Sequence, residues 1–81
     1  MRLSELKKGA SAVVREVEDA HAADPIARRL RELGFVSGEP VRVVASGPIG
    51  GDPLLVQIGY TRFALRRAEA ERVLLMAGDS A

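Results

Sequence analysis

The sequence contains no cysteine and no tryptophan, and its only aromatic residues are Phe35, Tyr60 and Phe63. Without cysteine there is no disulfide framework, no thiolate metal site and no cysteine nucleophile. The shortage of aromatic residues argues against a groove of the kind that binds proline-rich peptides. Hydrophobic residues nevertheless make up 47% of the 81 residues, which predicts one folded domain over 1–81 with an aliphatic core.

An excess of charge of one sign is also lacking. The sequence has 12 lysines and arginines and 11 aspartates and glutamates, so the formal net charge is +1. No strong field therefore favours nucleic acid or an anionic membrane as the partner. No run is long and apolar enough to cross a bilayer, and the residues after Met1 do not form an apolar signal region. We therefore expect a cytoplasmic protein with no direct membrane insertion.

Hydrophobic spacing predicts five short strands and one helix. Asp24 and Pro25 predict the start of a helix of about ten residues, since the carboxylate can accept N-terminal N–H bonds and proline fits the first position. Gly34 predicts the end of this helix. Alternating or β-branched residues predict strands at 11–17, 39–45, 54–60, 63–66 and 73–76. The expected fold class is mainly β, a five-stranded small β-barrel with one short α-helix between strands 1 and 2.

Turn and capping residues predict the connections between these elements. Ser4 is expected to cap a single helical turn near the N-terminus. Residues 46–53 are expected to form a rigid hairpin loop, and residues 61–62 a tight turn after a bulge or corner at Gly59. One polar helical turn precedes the last strand, and the tail 77–81 is expected to be frayed.

The glycine-rich segment GPIGGDP, residues 47–53, is not a phosphate loop. Such a loop opens into a helix and is followed by a lysine that reaches the phosphates. Here the segment leads into a predicted strand and no lysine follows. A hairpin loop explains the glycines better.

Residues that could carry catalysis are scarce. His21 is the single histidine, and Asp19 and Asp24 lie near it in the sequence. These three could contact a divalent metal, but their spacing matches no defined motif, so an ion would be weakly bound and intermolecular, giving a weak homo-oligomer. No nucleophile accompanies the histidine. We therefore predict no enzyme, no catalytic residue and no intrinsic cofactor, and keep the weak metal contact as a hypothesis.

Several arginines could together form a basic patch, beside Tyr60 and Phe63, which could stack on bases. The alternative is that these arginines are solvated or paired with Glu32 and Glu69. Because the net charge is near zero, no nucleic acid is expected as a partner, and a small-barrel regulator or nucleic-acid-binding module stays the alternative function. The arginines concerned are Arg28, Arg29, Arg31, Arg62, Arg66 and Arg67.

Short motifs follow one another in a specific order over residues 3–75. They are Leu3-x-x-Leu6-x-x-Gly9, Leu30-x-x-Leu33-Gly34-Phe35-x-x-Gly38, Val41-x-Val43, Pro48-x-x-Gly51-Asp52-Pro53-Leu54 and Ala64-Leu65-Arg66-x-x-Glu69-Ala70. In this order they resemble the FeoA family. The resemblance implies a Src-homology-3-like (SH3-like) barrel that accompanies FeoB, the GTP-driven bacterial ferrous iron transporter. Tyr60-Thr61 departs from the family, which often has Gly or Arg there.

The resemblance implies an accessory role in ferrous iron uptake. The protein would bind the cytosolic part of a FeoB-type transporter and modulate transport, in the cytoplasm or at the inner membrane through that transporter. GTP, magnesium and the iron pathway would belong to the partner. A rigid scaffold displays recognition residues at its loops and its exposed hydrophobic end. The candidate partner-binding residues are therefore Leu33, Phe35, Gly47, Pro48, Ile49, Gly50, Gly51 and Asp52.

Overall fold

The computed structural model describes residues 1–76, so the frayed tail predicted at 77–81 lies outside the described residues. A 3₁₀ helix is followed by five strands, with one α-helix after the first strand and another after the fourth. The elements are the 3₁₀ helix Leu3–Glu5, β1 (Ser11–Val17), α1 (Pro25–Leu33), β2 (Pro40–Gly47), β3 (Gly51–Ile58), β4 (Thr61–Leu65), α2 (Arg67–Ala70) and β5 (Val73–Leu75).

The five strands form one antiparallel sheet in the order β4-β3-β2-β1-β5. The pairing register shifts once between β1 and β5 and twice between β2 and β3. Such irregularities bend a strand and let a small sheet curl. The mainly β fold, with α1 placed between β1 and β2, confirms the predicted fold class, and α2 is the predicted polar turn before β5.

The core is aliphatic, as the composition predicts. Alternate residues of β2 and β3 are buried. Leu3 of the 3₁₀ helix and Ala27 and Leu30 of α1 belong to the same core cluster. Phe35 is the one aromatic side chain that is fully buried within residues 1–76. The largest fully buried side chains are Leu3, Val14, Phe35, Val41, Val43, Leu54, Val56 and Val73.

Local hydrogen bonds set both ends of α1. The Asp24 carboxylate accepts from the backbone N–H groups of Ile26 and Ala27, at 3.0 and 3.4 Å, and Pro25 is the first helical residue. At the other end Gly34 adopts a left-handed conformation, with φ of 112°. The Phe35 N–H then donates to the Leu30 carbonyl at 3.1 Å, which turns the chain back toward the core. Both predicted helix ends are confirmed.

The predicted connections need three corrections. Residues 46–53 are not all loop, because β2 runs to Gly47 and β3 begins at Gly51. The turn before β4 lies at residues 59–60, since Gly59 takes a positive φ, and residues 61–62 already belong to β4. Ser4 lies inside the 3₁₀ helix and does not cap it. The Glu5 carboxylate instead accepts from the Arg2 backbone N–H at 2.7 Å.

The two edges of the sheet differ. The outer edge of β5 is covered, because Arg2 forms an isolated bridge with Leu74, and the Leu75 N–H donates to the Met1 carbonyl at 2.8 Å. At the other edge β4 pairs with β3, and no second strand among residues 1–76 pairs with it.

The described part of the chain has no helix long and apolar enough to span a bilayer.

Candidate partner-binding surfaces

The tip of the β2–β3 hairpin presents an apolar side chain to solvent. Only residues 48–50 separate the two strands. The Asp52 N–H donates to the Ile49 carbonyl at 3.1 Å, which closes the tip as a tight turn. Within it the Ile49 side chain is 81% exposed. An exposed isoleucine on a constrained turn is suited to insertion into an apolar pocket of a partner.

Arg67 fixes this tip against the rest of the molecule. Its backbone N–H donates to Oδ1 of Asp52 at 3.0 Å. Its Nη1 donates to the Ser4 carbonyl at 2.7 Å, so one residue connects the hairpin, α2 and the 3₁₀ helix. A Cβ on Gly51 would come within 2.7 Å of Nη2 of the same side chain. Asp52 and Gly51, both predicted as partner contacts, therefore also hold the tip in place.

At Gly47 the backbone of the opposite strand approaches too closely to admit a side chain. A Cβ at this position would overlap the Asp52 carbonyl oxygen, an approach that two such atoms cannot adopt. The register between β2 and β3 also shifts next to Gly47. The absence of a side chain at Gly47 is thus required by the backbone of the opposite strand.

The two partner contacts predicted at the end of α1, Leu33 and Phe35, differ in their exposure to solvent. Phe35 is only 1% exposed, and its ring centroid lies 6.2 Å from that of Phe63, with the rings tilted by 51°. In this conformation the Phe35 ring is not accessible to a partner and packs beside Phe63. Leu33 is half-buried and lines a groove between α1 and β4.

The six arginines considered for a basic patch do not all lie at one surface. Two arginines of α1 form ion pairs elsewhere, Arg28 with Glu32 at 3.6 Å and Arg31 with Asp19 at 2.7 Å. Those that line the groove between α1 and β4 are Arg29, Arg62 and Arg66. The sequence signals for this groove are the half-buried apolar residues on α1 and β4, but only the tertiary fold brings the two segments together.

The segment predicted to contact a metal is organised around Asp24. His21 is exposed, with Nε2 3.8 Å from Oδ1 of Asp24, and Asp19 is bound to Arg31. Among residues 1–76 no group of three or more His, Asp and Glu side chains is placed to hold an ion. Asp19 and Asp24 are both engaged by arginines of the same chain, and a metal contact at His21 stays a prediction that needs a second copy.

Every hydrogen-bonding direction of the buried Asp24 carboxylate is used within the chain. Oδ1 accepts from Ile26 and Ala27, while Oδ2 accepts from the Ala20 N–H at 2.8 Å and from Nε of Arg72 at 2.6 Å. The Arg72 guanidinium holds the pKa of Asp24 well below its usual range, and the backbone donors act in the same direction. Burial of the carboxylate opposes them but is outweighed. The Asp24 carboxylate is therefore a structural anion, held by donors of its own chain.

Comparison with known proteins identifies a family for this fold. The family model of the FeoA domain matches residues 1–76. The crystal structure of a Stenotrophomonas maltophilia FeoA complexed with zinc, described as an SH3 domain protein, is 68% identical with a TM-score of 0.89, covering 95% of this chain and 91% of that one. The solution structure of a Chlorobium tepidum FeoA protein is 41% identical with a TM-score of 0.77, covering 98% and 73%. The fold is therefore SH3-like.

A curated relative joins this module to a much larger protein. The Fe(2+) transport protein A/Fe(2+) transporter FeoB fusion protein of Porphyromonas gingivalis is 37% identical over 73 residues. The match covers 90% of this chain and 8% of that protein, so the chain spans less than a tenth of the relative's length.

Proposed function

The chain belongs to the FeoA family, and from that premise we propose that it is an accessory protein of bacterial ferrous iron uptake. It binds the cytosolic part of a FeoB-type transporter and modulates transport. The observation that carries this proposal is the fusion of the same module to FeoB in Porphyromonas gingivalis. Covalent fusion gives two modules a high effective concentration for each other, which favours a function of this domain beside the transporter.

The surface of the domain is consistent with protein binding. The hairpin tip offers Ile49 on a turn that Asp52 and Arg67 hold rigid. A rigid surface loses little conformational entropy on binding, so even a small contact can contribute to affinity. In this proposal the protein is cytoplasmic and reaches the inner membrane through the transporter, while GTP, magnesium and iron are handled by the partner.

Calorimetric titration of the purified protein into the soluble cytosolic domain of the FeoB transporter from the same cell tests the proposal. The titration is run with GDP, with a non-hydrolysable GTP analogue and without nucleotide. We expect saturable binding whose affinity differs between nucleotide states, because a modulator of a GTP-driven cycle must bind some states more tightly than others.

Full-length transporter in lipid nanodiscs provides the second arm of this experiment. Binding to the nanodiscs alone would still support the proposal and would place part of the contact near the membrane. Absence of binding to both preparations, in every nucleotide state, would refute it. Equal affinity in all states would support association but would refute modulation through the nucleotide cycle.

A further inference from the structure

A groove of about 430 Å³ runs between α1 and β4, a volume within the range of about 300–1,000 Å³ that is common for ligand sites. Its apolar lining comes from both elements, with Leu30 and Leu33 on α1 and Phe63 and Leu65 on β4. Leu33 and Phe63 pack against the core but are still partly exposed. The groove therefore offers a hydrophobic surface that residues 1–76 leave partly uncovered.

The free edge of the sheet borders this groove. The described residues pair β4 with β3 alone, whereas the outer edge of β5 is closed by Arg2 and Met1. A strand edge with unpaired N–H and C=O groups can accept an additional strand, and pockets beside it then select the side chains of that strand. Edge and groove together are suited to an extended peptide.

The charge around the groove favours an acidic occupant. Arg29, Arg62 and Arg66 line it, and none of these three guanidinium groups is within ion-pair distance of a carboxylate in residues 1–76. The one acidic residue that lines it, Glu69, accepts a hydrogen bond from the Arg66 backbone N–H at 2.9 Å. A second copy docked edge to edge would bring the same arginines together, which disfavours self-association.

We infer that the groove between α1 and β4 binds an extended acidic segment of a protein partner, which adds to β4 as a sixth strand. Its carboxylates meet Arg29, Arg62 and Arg66, and its apolar side chains pack between Leu33 and Phe63. The inference deepens the proposed function by naming the chemistry of the partner segment, and rests on that function only for the segment's source, the transporter.

The test uses a capped seven-residue peptide of alternating glutamate and valine, with a lysine–valine peptide as its charge-reversed counterpart. Binding is followed by NMR of the isotope-labelled full chain. We expect saturable shifts of amide signals in β4 and α1 with the acidic peptide, and at least about tenfold weaker binding of the basic one. Because strand addition uses alternate main-chain N–H groups, methylating one alternate set of peptide nitrogens should abolish binding while methylating the other should not.

Charge-swap variants separate the groove from general electrostatics. The double variant Arg29→Glu/Arg62→Glu should bind the acidic peptide at least about tenfold more weakly and should now prefer the basic peptide. Arg28→Glu is the control for a charge reversal on α1 outside the groove, because Arg28 neighbours Arg29 but does not line the groove, and the affinity of this variant should stay within about twofold. The gain of basic-peptide binding also shows that the double variant is folded.

Several results would overturn the inference. They are equal binding of both peptides, equal effects of the two methylation patterns, shifts that map away from β4, or concentration-dependent self-association that the double variant abolishes. The proposed function can fail separately. If the acidic peptide binds and the transporter does not, the groove inference stands. If the transporter binds the wild type and the double variant equally, the proposed function stands and the groove inference is refuted.

Discussion

Arg72 donates from Nε to Oδ2 of Asp24 at 2.6 Å, across 48 residues of sequence and between two largely buried side chains. Nη1 of the same arginine donates to the Ala68 carbonyl at 2.7 Å. The carboxylate that caps α1 is thereby tied to α2 and to the start of β5. One ion pair thus joins the start of α1 to the start of the last strand of the sheet.

This pair predicts a specific loss of stability in acid. Because the pKa of Asp24 is lowered in the folded state, the unfolded chain takes up its proton first as the pH falls. The contribution of Asp24 is therefore fully present above about pH 5 and declines as the pH falls below the unfolded pKa of about 4 toward the lower folded value. Thermal unfolding from pH 7 to pH 2.5 should show this decline in the wild type.

Asp24→Asn should lower the Tm at pH 7 by at least about 5 °C and should weaken the acid-induced decline, because the amide cannot ionise and leaves Arg72 without its carboxylate. Asp19→Asn is the control, since Asp19 forms an exposed ion pair with Arg31, and its Tm should change by less than about 2 °C. An unchanged acid profile in Asp24→Asn would contradict the assignment.

The sequence predicts those features of the fold that depend on neighbouring residues. Asp24, Pro25 and Gly34 set the two ends of α1 through bonds within a few residues, so their meaning can be derived from spacing alone. The partner of Asp24 could not be derived in this way, because nothing in the sequence around Arg72 points to a residue 48 positions earlier. The link from Arg67 to Ser4 spans 63 residues and escapes prediction for the same reason.

The errors in strand placement also have physical causes. Tyr60 has the parity of Leu54, Val56 and Ile58, so alternation predicts that it lies in the same strand and on the same face as these residues. The positive φ of Gly59 instead turns the chain at that point and leaves Tyr60 fully exposed. Glycines and prolines in residues 46–53 suggest a long loop. Gly47, Gly51 and Pro53 nevertheless lie within β2 and β3, and the register between these strands shifts beside Gly47.

The candidate surface was only partly predictable. Solvent exposure of Ile49 follows from its place between turn residues, so the hairpin tip could be nominated from the sequence. The groove could not, because its arginines come from two segments separated by about 30 residues and only tertiary packing decides which of them are paired elsewhere. The burial of Phe35 could not be predicted either, because a residue next to a helix end can turn either outward or, as here, into the core.

Gly47 should be intolerant of any side chain. Gly47→Ala would place a Cβ against the Asp52 carbonyl, so the hairpin backbone must move, and we expect a loss of about 1–3 kcal/mol in the free energy of unfolding. Denaturant unfolding measures this loss. Amide exchange at residues 46–54 should show the hairpin opening more often in the variant. Ser46→Ala, next in sequence and exposed, should stay within about 0.5 kcal/mol of the wild type. Equal effects of the two substitutions would rule out the close approach as the cause.

His21 should mediate any zinc-dependent association of this chain. Its imidazole is exposed, whereas Asp24 is fully engaged and Asp19 is held by Arg31, so a tight site requires ligands from another copy. Light scattering should show an increase in mass when zinc is added at pH 7.5, reversal by a chelator and loss of the effect in His21→Ala. Asp19→Asn should associate like the wild type. An unchanged mass on adding zinc would exclude the metal contact.

Ile49 should contribute to partner binding without contributing to stability. A charge introduced by Ile49→Asp would have to be desolvated on docking, so we expect affinity for the transporter domain to fall at least about tenfold. The side chain is mostly exposed in the free protein, and the Tm should therefore stay within about 2 °C of the wild type. Tyr60→Asp is the matched control, because Tyr60 is an exposed apolar residue in a turn at the opposite end of β3.

The two measurements together distinguish a binding residue from a structural one. Calorimetry on Ile49→Asp reports affinity, and a thermal melt of the same sample reports stability. A loss in both would show that the hairpin tip is part of the folded framework and that Ile49 is structural. A comparable loss of affinity in Tyr60→Asp would mean that negative charge away from the hairpin tip also weakens binding, in which case the loss in Ile49→Asp does not show insertion of the tip.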